Sequence, residues 1–320
     1  MIARSLVIPV YRNAENVPRL LETLETLNQS LGGSLEVVFV VDGSPDESGR
    51  LLLDHAPNCS FRSKVAFHSR NFGSFTAIRT GLELADGEHI AVMAADLQEP
   101  SELILEFFRV LEIGSTDVVF AKREGRSDPL VSRLLSAMFW SAYRRFVLPD
   151  MPPGGIDVFA CCRNVRDAVL EIEEPNSSLI AQLFWVGFRR AFVPYVRRPR
   201  LEGKSAWAVS RRFRYMMDSI FSFSDLPILV VLWLGVFGCM VSLLLGTVTL
   251  VARLGGYIEE AGYTSIILLI VFLGSLMLVV QGILGCYLWR ATENSKRRPL
   301  RIISRVVTLE GERTGGGHDG

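Results

Sequence analysis

Apolar positions recur at alternating strand and helix periods along the first 121 residues. Ser5–Val10 (SLVIPV) is a short apolar run of strand character. Val17, Leu20, Leu21, Leu24, Leu27 and Leu31 follow at helical spacing and are closed by Gly32-Gly33, which predicts a one-sided helix. Leu35–Val41 (LEVVFVV) predicts a second strand, ending in the turn composition Asp42-Gly43-Ser44-Pro45-Asp46. A short strand over Lys64–Phe67, a helix over Ser74–Ala85 and the turn Asp86-Gly87 lead into His89–Pro100. There Ile90, Ala91, Val92 and Met93 run into two alanines and stop at Asp96. A nearly all-apolar run of this length marks a central parallel strand covered by helices on both faces. A helix over Glu102–Leu111 and a strand over Asp117–Ala121 complete the series. Strands and helices alternating through short connections imply right-handed crossovers and a mostly parallel α/β sheet.

Beyond Arg126 the pattern changes. Pro129–Leu148 and Trp207–Ser224 mix large apolar side chains with arginines: Arg133, Arg144 and Arg145 in the first, Arg211, Arg212 and Arg214 in the second. Basic, aromatic amphipathic helices lie in a membrane interface or pack against a domain. From Leu226 to Ala252, and again from Ala261 to Trp289, no residue carries a formal charge. Both runs exceed the roughly 20 residues, at about 1.5 Å each, that a membrane span requires. Two transmembrane helices are therefore expected. Arg211, Arg212 and Arg214 precede the first, and Arg290, Lys296, Arg297, Arg298, Arg301 and Arg305 follow the second. The positive-inside rule then puts both termini in the cytoplasm, with the chain crossing the cytoplasmic (inner) membrane twice. The first residues hold too short an apolar run for a signal peptide. The expected organisation is an α/β domain over 1–206 with an interfacial helix at 127–150 inside it. A juxtamembrane amphipathic helix over 207–225, a two-helix transmembrane region over 226–290 and a basic tail over 291–320, disordered at its end, follow.

Composition adds limits. Lys plus Arg and Asp plus Glu both total 34 in 320 residues, so no overall charge draws the chain to nucleic acid, and no such partner is expected. The five cysteines, at 59, 161, 162, 239 and 286, lack metal-ligand spacing and read as free thiols. Cys161-Cys162 lies in an apolar stretch and reads as packing. None of the four histidines has a partner nearby in sequence, and none is assigned a role.

Asp96 is the first candidate for chemistry. A carboxylate just beyond such a strand lies at the carboxyl edge of the sheet, where open α/β folds bind ligands. Alternatively it N-caps the helix that Pro100 helps to start.

Five stretches, taken in order, resemble glycosyltransferase family 2, in the branch that moves a sugar from a nucleotide donor onto a polyprenyl phosphate. They are VIPVYRNAENV (7–17), EVVFVVDGSPDES (36–48), SRNFGSFTAIRTGLELADGEHIAVMAADLQEP (69–100), GGIDVFACCR (154–163) and RRPRLEGKSAW (197–207). The resemblance implies a GT-A nucleotide-sugar-binding domain followed by the interfacial and transmembrane helices, and a membrane-bound enzyme. It implies transfer with inversion from a UDP- or GDP-sugar to an undecaprenyl-type phosphate on the cytoplasmic face. Mg²⁺ or Mn²⁺ and a homo-oligomer assembled through membrane-proximal helices are implied as well.

Residue by residue, the resemblance places Pro9, Tyr11 and Glu15 around the donor's base, with the Tyr11 ring free to stack. Asp42 would accept hydrogen bonds from base or ribose, or else be a turn aspartate. Arg70 and Asn71 would face the donor, and Arg70 could meet a phosphate bidentately. Asp157 would orient the acceptor and steady the oxocarbenium-like centre, or else cap a turn. Arg197, Arg200, Lys204 and Ser205 would form a cationic loop offsetting the repulsion between diphosphate and lipid phosphate. A surface patch drawn to anionic lipid, at roughly 1 kcal/mol per basic residue, is the plainer reading of that loop. Asp157, Asp96 and Arg200 are the expected catalytic residues.

Two departures stand out. The family usually has paired aspartates where this chain has Val41-Asp42, and Asp-Xaa-Asp where it has Ala94-Ala95-Asp96. A hard cation can still be held by one or two carboxylates with phosphate oxygens and water. Asp96 is accordingly the expected metal ligand, with Glu99 as an outer acceptor. The departures also motivate an alternative: an inert relative that binds nucleotide sugar or scaffolds a glycan-assembly complex. Processive polysaccharide synthesis is disfavoured, since Gln182 is followed by Leu183, Phe184 and Trp185 rather than a Gln-Xaa-Xaa-Arg-Trp motif.

Overall fold

The computed structural model describes residues 3–124, 150–152, 156, 158–174, 177–198, 262–296 and 298–310, with scattered positions between 141 and 145 and between 230 and 255. The chain divides into two compact units, Met1–Arg212 with Pro299–Gly320, and Phe213–Arg298.

The first unit is built on one sheet of eight strands. In chain order these are β1 (Arg4–Val10), β2 (Leu35–Val41), β3 (Arg62–His68), β4 (His89–Val92), β5 (Val118–Arg123), β6 (Phe159–Cys162), β7 (Arg190–Tyr195) and β8 (Ile303–Leu309). Across the sheet they run β7-β5-β6-β4-β1-β2-β3-β8. β4, β1, β2 and β3 pair in parallel, and β7 is parallel to β5. β6 is antiparallel to both β4 and β5, and β8 is antiparallel to β3. The mostly parallel sheet expected from the alternating pattern is present.

Among the described residues six helices accompany it: α1 (Val17–Ser30), α2 (Ser48–His55), α3 (Ser74–Leu84), α4 (Ser101–Glu112), α5 (Arg163–Leu170) and α6 (Leu179–Trp185). Every residue of β2 is buried, because its two side-chain faces meet different cores. Val37 and Phe39 pack with Leu24 of α1 and Phe107 of α4. Val38 and Val40 pack on the other side with Leu82 of α3 and Leu183 of α6. A strand with helices above and below has no polar face, which is why its sequence reads as an unbroken apolar run. Gly32 and Gly33 stop α1 with positive φ angles of 69° and 73°, a backbone that glycine adopts without penalty.

β1 has β2 on one side and β4 on the other: the chain runs outward from β1 through β2 to β3 and then returns to place β4 on the opposite side. This switch in strand order opens a crevice at the carboxyl ends of β1 and β4.

The second unit contains the 33-residue helix α7 (Tyr263–Ser295), on which Ile270, Met277 and Leu288 are exposed. Among the described residues, no helix is long and apolar enough to cross a membrane. This overturns the expected pair of transmembrane helices, and with it the two-span placement in the inner membrane with both termini cytoplasmic. The expectation counted every residue of 226–252 and 261–289 towards one uninterrupted apolar helix each. The described positions of 230–252 are scattered, and several side chains of α7 lie outside the described set. The expected helices over 127–150 and 207–225 fall almost wholly outside the described residues as well. The basic tail over 291–320 contains more order than its composition suggested, since Ile303–Leu309 is the strand β8.

Candidate active site

Four loops leave the carboxyl ends of the parallel strands, and they carry the predicted donor residues. Pro9 is half-buried in β1, and Tyr11 and the exposed Glu15 follow it. The loop after β1 is shaped by the loop after β2. Asp46 accepts the Ala14 amide at 3.0 Å and the Ser44 and Ser48 hydroxyls at 2.6 and 2.7 Å. Ser44 Oγ in turn accepts the Arg12 amide at 2.8 Å. This network holds Arg12 at φ 55°, a left-handed backbone that a non-glycine residue adopts only when its surroundings impose it. The Arg12 guanidinium then lies 5.4 Å from the Tyr11 ring centroid. Burial works against the Asp46 charge, but the hydrogen bonds from Ser44, Ser48 and the amides of Ala14 and Ser48 outweigh it, and the carboxyl titrates below its ordinary 3.8.

Asp42, at the end of β2, is 2 % exposed. Its Oδ1 accepts from His68 Nδ1 at 2.7 Å and from the Phe72 amide at 2.8 Å, and its Oδ2 accepts from the Gly73 amide at 2.8 Å. The carboxylate expected to read the donor's base or ribose is thus turned inward, onto the loop between β3 and α3. Arg70 and Asn71 lie on that loop and are exposed. Arg70 stacks on Phe72, with its guanidinium carbon 4.1 Å from the ring centroid. Gly43, at φ 58°, lets the loop come close: a Cβ there would stand 2.3 Å from the Arg70 carbonyl carbon. His68 was missed from sequence because its partners are 26 and 12 residues away; a single polar residue ending an apolar strand was the only signal.

Beyond β4 the chain turns at Asp96, which is half-buried and whose carboxylate accepts the Gln98 amide at 3.4 Å. Asp96 is not the cap of α4. That helix begins at Ser101 behind Pro100, with no side-chain cap. Glu99 is buried, and its Oε2 accepts the Ala94 amide at 3.3 Å, bracing the turn from inside.

Gln98 joins this turn to the segment after β7. Its side-chain oxygen accepts Arg197 Nη2 at 2.6 Å, its carbonyl accepts the Arg198 amide at 2.9 Å, and its side-chain nitrogen donates to the Arg198 carbonyl at 3.4 Å. Arg197 is therefore brought beside the Asp96 turn. Next to this junction a groove of about 570 Å³ runs between α4 and β7, lined by Leu103, Val193, Tyr195 and Val196 among others. Asp157, Arg200, Lys204 and Ser205 lie outside the described residues. Of the cysteines, Cys161 is buried in β6 as expected for packing, and Cys59, Cys161, Cys162 and Cys286 are all free thiols.

The mostly parallel sheet with its switch in strand order at β1 defines an open α/β protein. The chain belongs to glycosyltransferase family 2, which residues 5–171 match. It is 34 % identical over 302 residues to a putative glycosyltransferase, CsbB, of Bacillus subtilis, covering 94 % of this chain and 91 % of that one. It is 30 % identical over 300 residues to the bactoprenol glucosyl transferase of Shigella phage SfV, covering 93 % and 97 %. These relatives place it in the polyprenyl-phosphate branch of the family. Among solved structures, a mannosyltransferase from Pyrobaculum calidifontis in complex with GDP-Man and Mn²⁺ shows a loose likeness, with TM-score 0.45, 17 % identity and coverage of 63 % of this chain and 58 % of that one.

Proposed function

We propose that the protein transfers a sugar, with inversion, from a UDP- or GDP-sugar to a polyprenyl phosphate. The observation that carries this reading is the junction at Gln98, which brings Arg197 beside the Asp96 turn at the switch point. Two anionic groups, a donor diphosphate and an acceptor phosphate, must approach each other in this reaction, and such a place combines the charges that allow it. The full-length match to bactoprenol glucosyl transferases supports the choice of acceptor.

Asp96 suits a divalent ion shared with substrate. Among the described residues, no group of three or more His, Cys, Asp or Glu could hold a metal by itself. One or two carboxylates completed by phosphate oxygens and water are how Mg²⁺ and Mn²⁺ are held with nucleotide diphosphates, and Asp96 is the carboxylate of this turn that would serve. The ion would offset charge on the leaving diphosphate. Tyr11, Pro9 and Glu15 line the base side of the crevice, and Arg70 with Asn71 faces the diphosphate. Arg197, together with Arg200, Lys204 and Ser205, receives the lipid phosphate. Asp157 orients the acceptor; a phosphate is already mostly ionised near neutral pH and needs little deprotonation.

Incubating the purified full chain with labelled nucleotide sugars and a short polyprenyl phosphate should give an organic-extractable product. Asp96→Ala or a chelator should abolish it. No lipid product from any pairing overturns the reading. Nucleotide-sugar binding indifferent to metal and without turnover would instead support an inert binding protein, the reading that Val41 and Ala94 favour.

A further inference from the structure

We propose that His68 is a positioning residue that presets Arg70 for the donor's diphosphate, acting through Asp42 and Phe72. The inference rests on the nucleotide-sugar reading above. The His68 side chain is completely buried at the end of β3, and both ring nitrogens are engaged. A carboxylate only accepts, so Nδ1 carries a proton and donates it to Asp42. Nε2 meets the Thr80 hydroxyl at 2.8 Å, two turns into α3. A leucine or phenylalanine would fill the same volume without a polar desolvation cost, so the imidazole is there for its two directed bonds.

Those bonds fix the orientation of one carboxylate, and the carboxylate fixes the loop. Asp42 takes the amides of Phe72 and Gly73, the two residues that precede α3, at 2.8 Å each. Charge-assisted bonds of this kind are about twice as strong as neutral ones. The Phe72 ring stands edge-on to the His68 ring, with centroids 5.5 Å apart and an interplanar angle of 85°. Arg70 lies on the Phe72 ring. Its remaining contact is a bond from Nη1 to the Asn71 carbonyl at 3.2 Å, and among the described residues it makes no ion pair. The guanidinium is thus held in place by an aromatic face at the carboxyl edge of the sheet, with no carboxylate paired to it among the described residues. A cation fixed in this way loses little side-chain freedom when an anion arrives.

The test combines nucleotide binding with a double-mutant cycle. Calorimetric affinity for UDP and GDP, and donor KM and kcat, are measured on the wild type, His68→Phe, His68→Gln, Arg70→Ala and the double variant His68→Phe with Arg70→Ala. His68→Phe is expected to weaken nucleotide binding and raise donor KM about tenfold, with kcat changed less than twofold. Arg70→Ala is expected to do the same, and the double variant to be no worse than Arg70→Ala alone. His68→Gln, which can still donate to Asp42, should recover part of the loss, and it decides the matter if His68→Phe does not fold. Multiplying penalties in the double variant, or a lowered Tm and kcat with nucleotide affinity unchanged, would overturn the proposal. An Arg70→Ala variant that binds nucleotide like the wild type would also overturn it while leaving the enzyme reading standing. A wild type that binds neither nucleotide would remove both.

Discussion

Arg197 Nη2 and the side-chain oxygen of Gln98 are 2.6 Å apart, and they join the segment after β7 to the turn that carries Asp96. Two further bonds between Gln98 and Arg198 make the junction three-stranded. Gln98→Ala keeps the backbone bond and removes both side-chain ones. It is expected to lower kcat/KM about tenfold, which is about 1.4 kcal/mol of transition-state stabilisation. The folded state should be nearly unaffected, because the junction is at the surface of the sheet edge. Steady-state kinetics beside thermal unfolding checks this; a large fall in Tm with unchanged kinetics would refute it.

Gly43 answers a different demand. Its φ of 58° disfavours any side chain, and a Cβ would stand 2.3 Å from the Arg70 carbonyl carbon and 2.4 Å from the Asn71 nitrogen. Backbone cannot swing aside as a side-chain tip can. Gly43→Ala should therefore cost about 2–4 kcal/mol of stability and weaken nucleotide binding, since the atoms it displaces belong to the Arg70 loop. Urea unfolding and calorimetry read the two effects separately.

Asp46 gives a pH signature. Its carboxyl titrates below 3.8 in the folded chain, so it adds stability that is fully present above that pH. The contribution is lost as pH falls through the lower folded-state value. Asp46→Asn should be less stable than the wild type by about 1–2 kcal/mol at pH 7. The gap should narrow steadily as the pH is lowered from 3.8, because the folded carboxyl takes up its proton only below that value. A gap that stays unchanged across that descent would contradict the assignment.

Arg79 is a buried cation with no carboxylate at its tip among the described residues. It donates to the carbonyls of Val169 and Leu170 at 2.9 Å each, at the end of α5, and to the Gln182 side chain at 3.1 Å. Burial, then the nearby Arg301, lowers its proton affinity, and the negative end of α5 and Glu173 act in the opposite sense. Arg79→Met leaves those acceptors unsatisfied and should destabilise the fold by about 2–4 kcal/mol. Urea unfolding of the variant beside the wild type reads the loss.

The residues that could be read directly were those whose neighbours in space are also neighbours in sequence. α1 shows its buried face as Leu20, Leu24 and Leu27, and β2 announces two covered faces by having no polar ones. α2 was not expected, because a two-turn helix of sequence SGRLLLDH gives too few repeats to show a period. β7 hides behind Pro194, which an edge strand tolerates and an inner strand does not. Asp42 was singled out by its position at a strand end, but the direction of its oxygens depends on His68 and on the Phe72 and Gly73 amides. No local pattern encodes that. The uncharged runs near the C-terminus show the reverse error, in which residue count alone was taken for a continuous span.

β8 reaches β3 from far along the chain: the Ser304 hydroxyl donates to the Phe67 carbonyl across 237 residues. During synthesis the outer rim of β3 therefore stays unsheltered until residues 303–309 have left the ribosome. An unpaired rim of that kind recruits other strands, and pairings across such separations form late. Removing residues 301–320 would take away the whole of β8, which among the described residues is the strand that seals the rim, so a loss that looks trivial in sequence would turn a self-contained sheet into one that sticks to its neighbours.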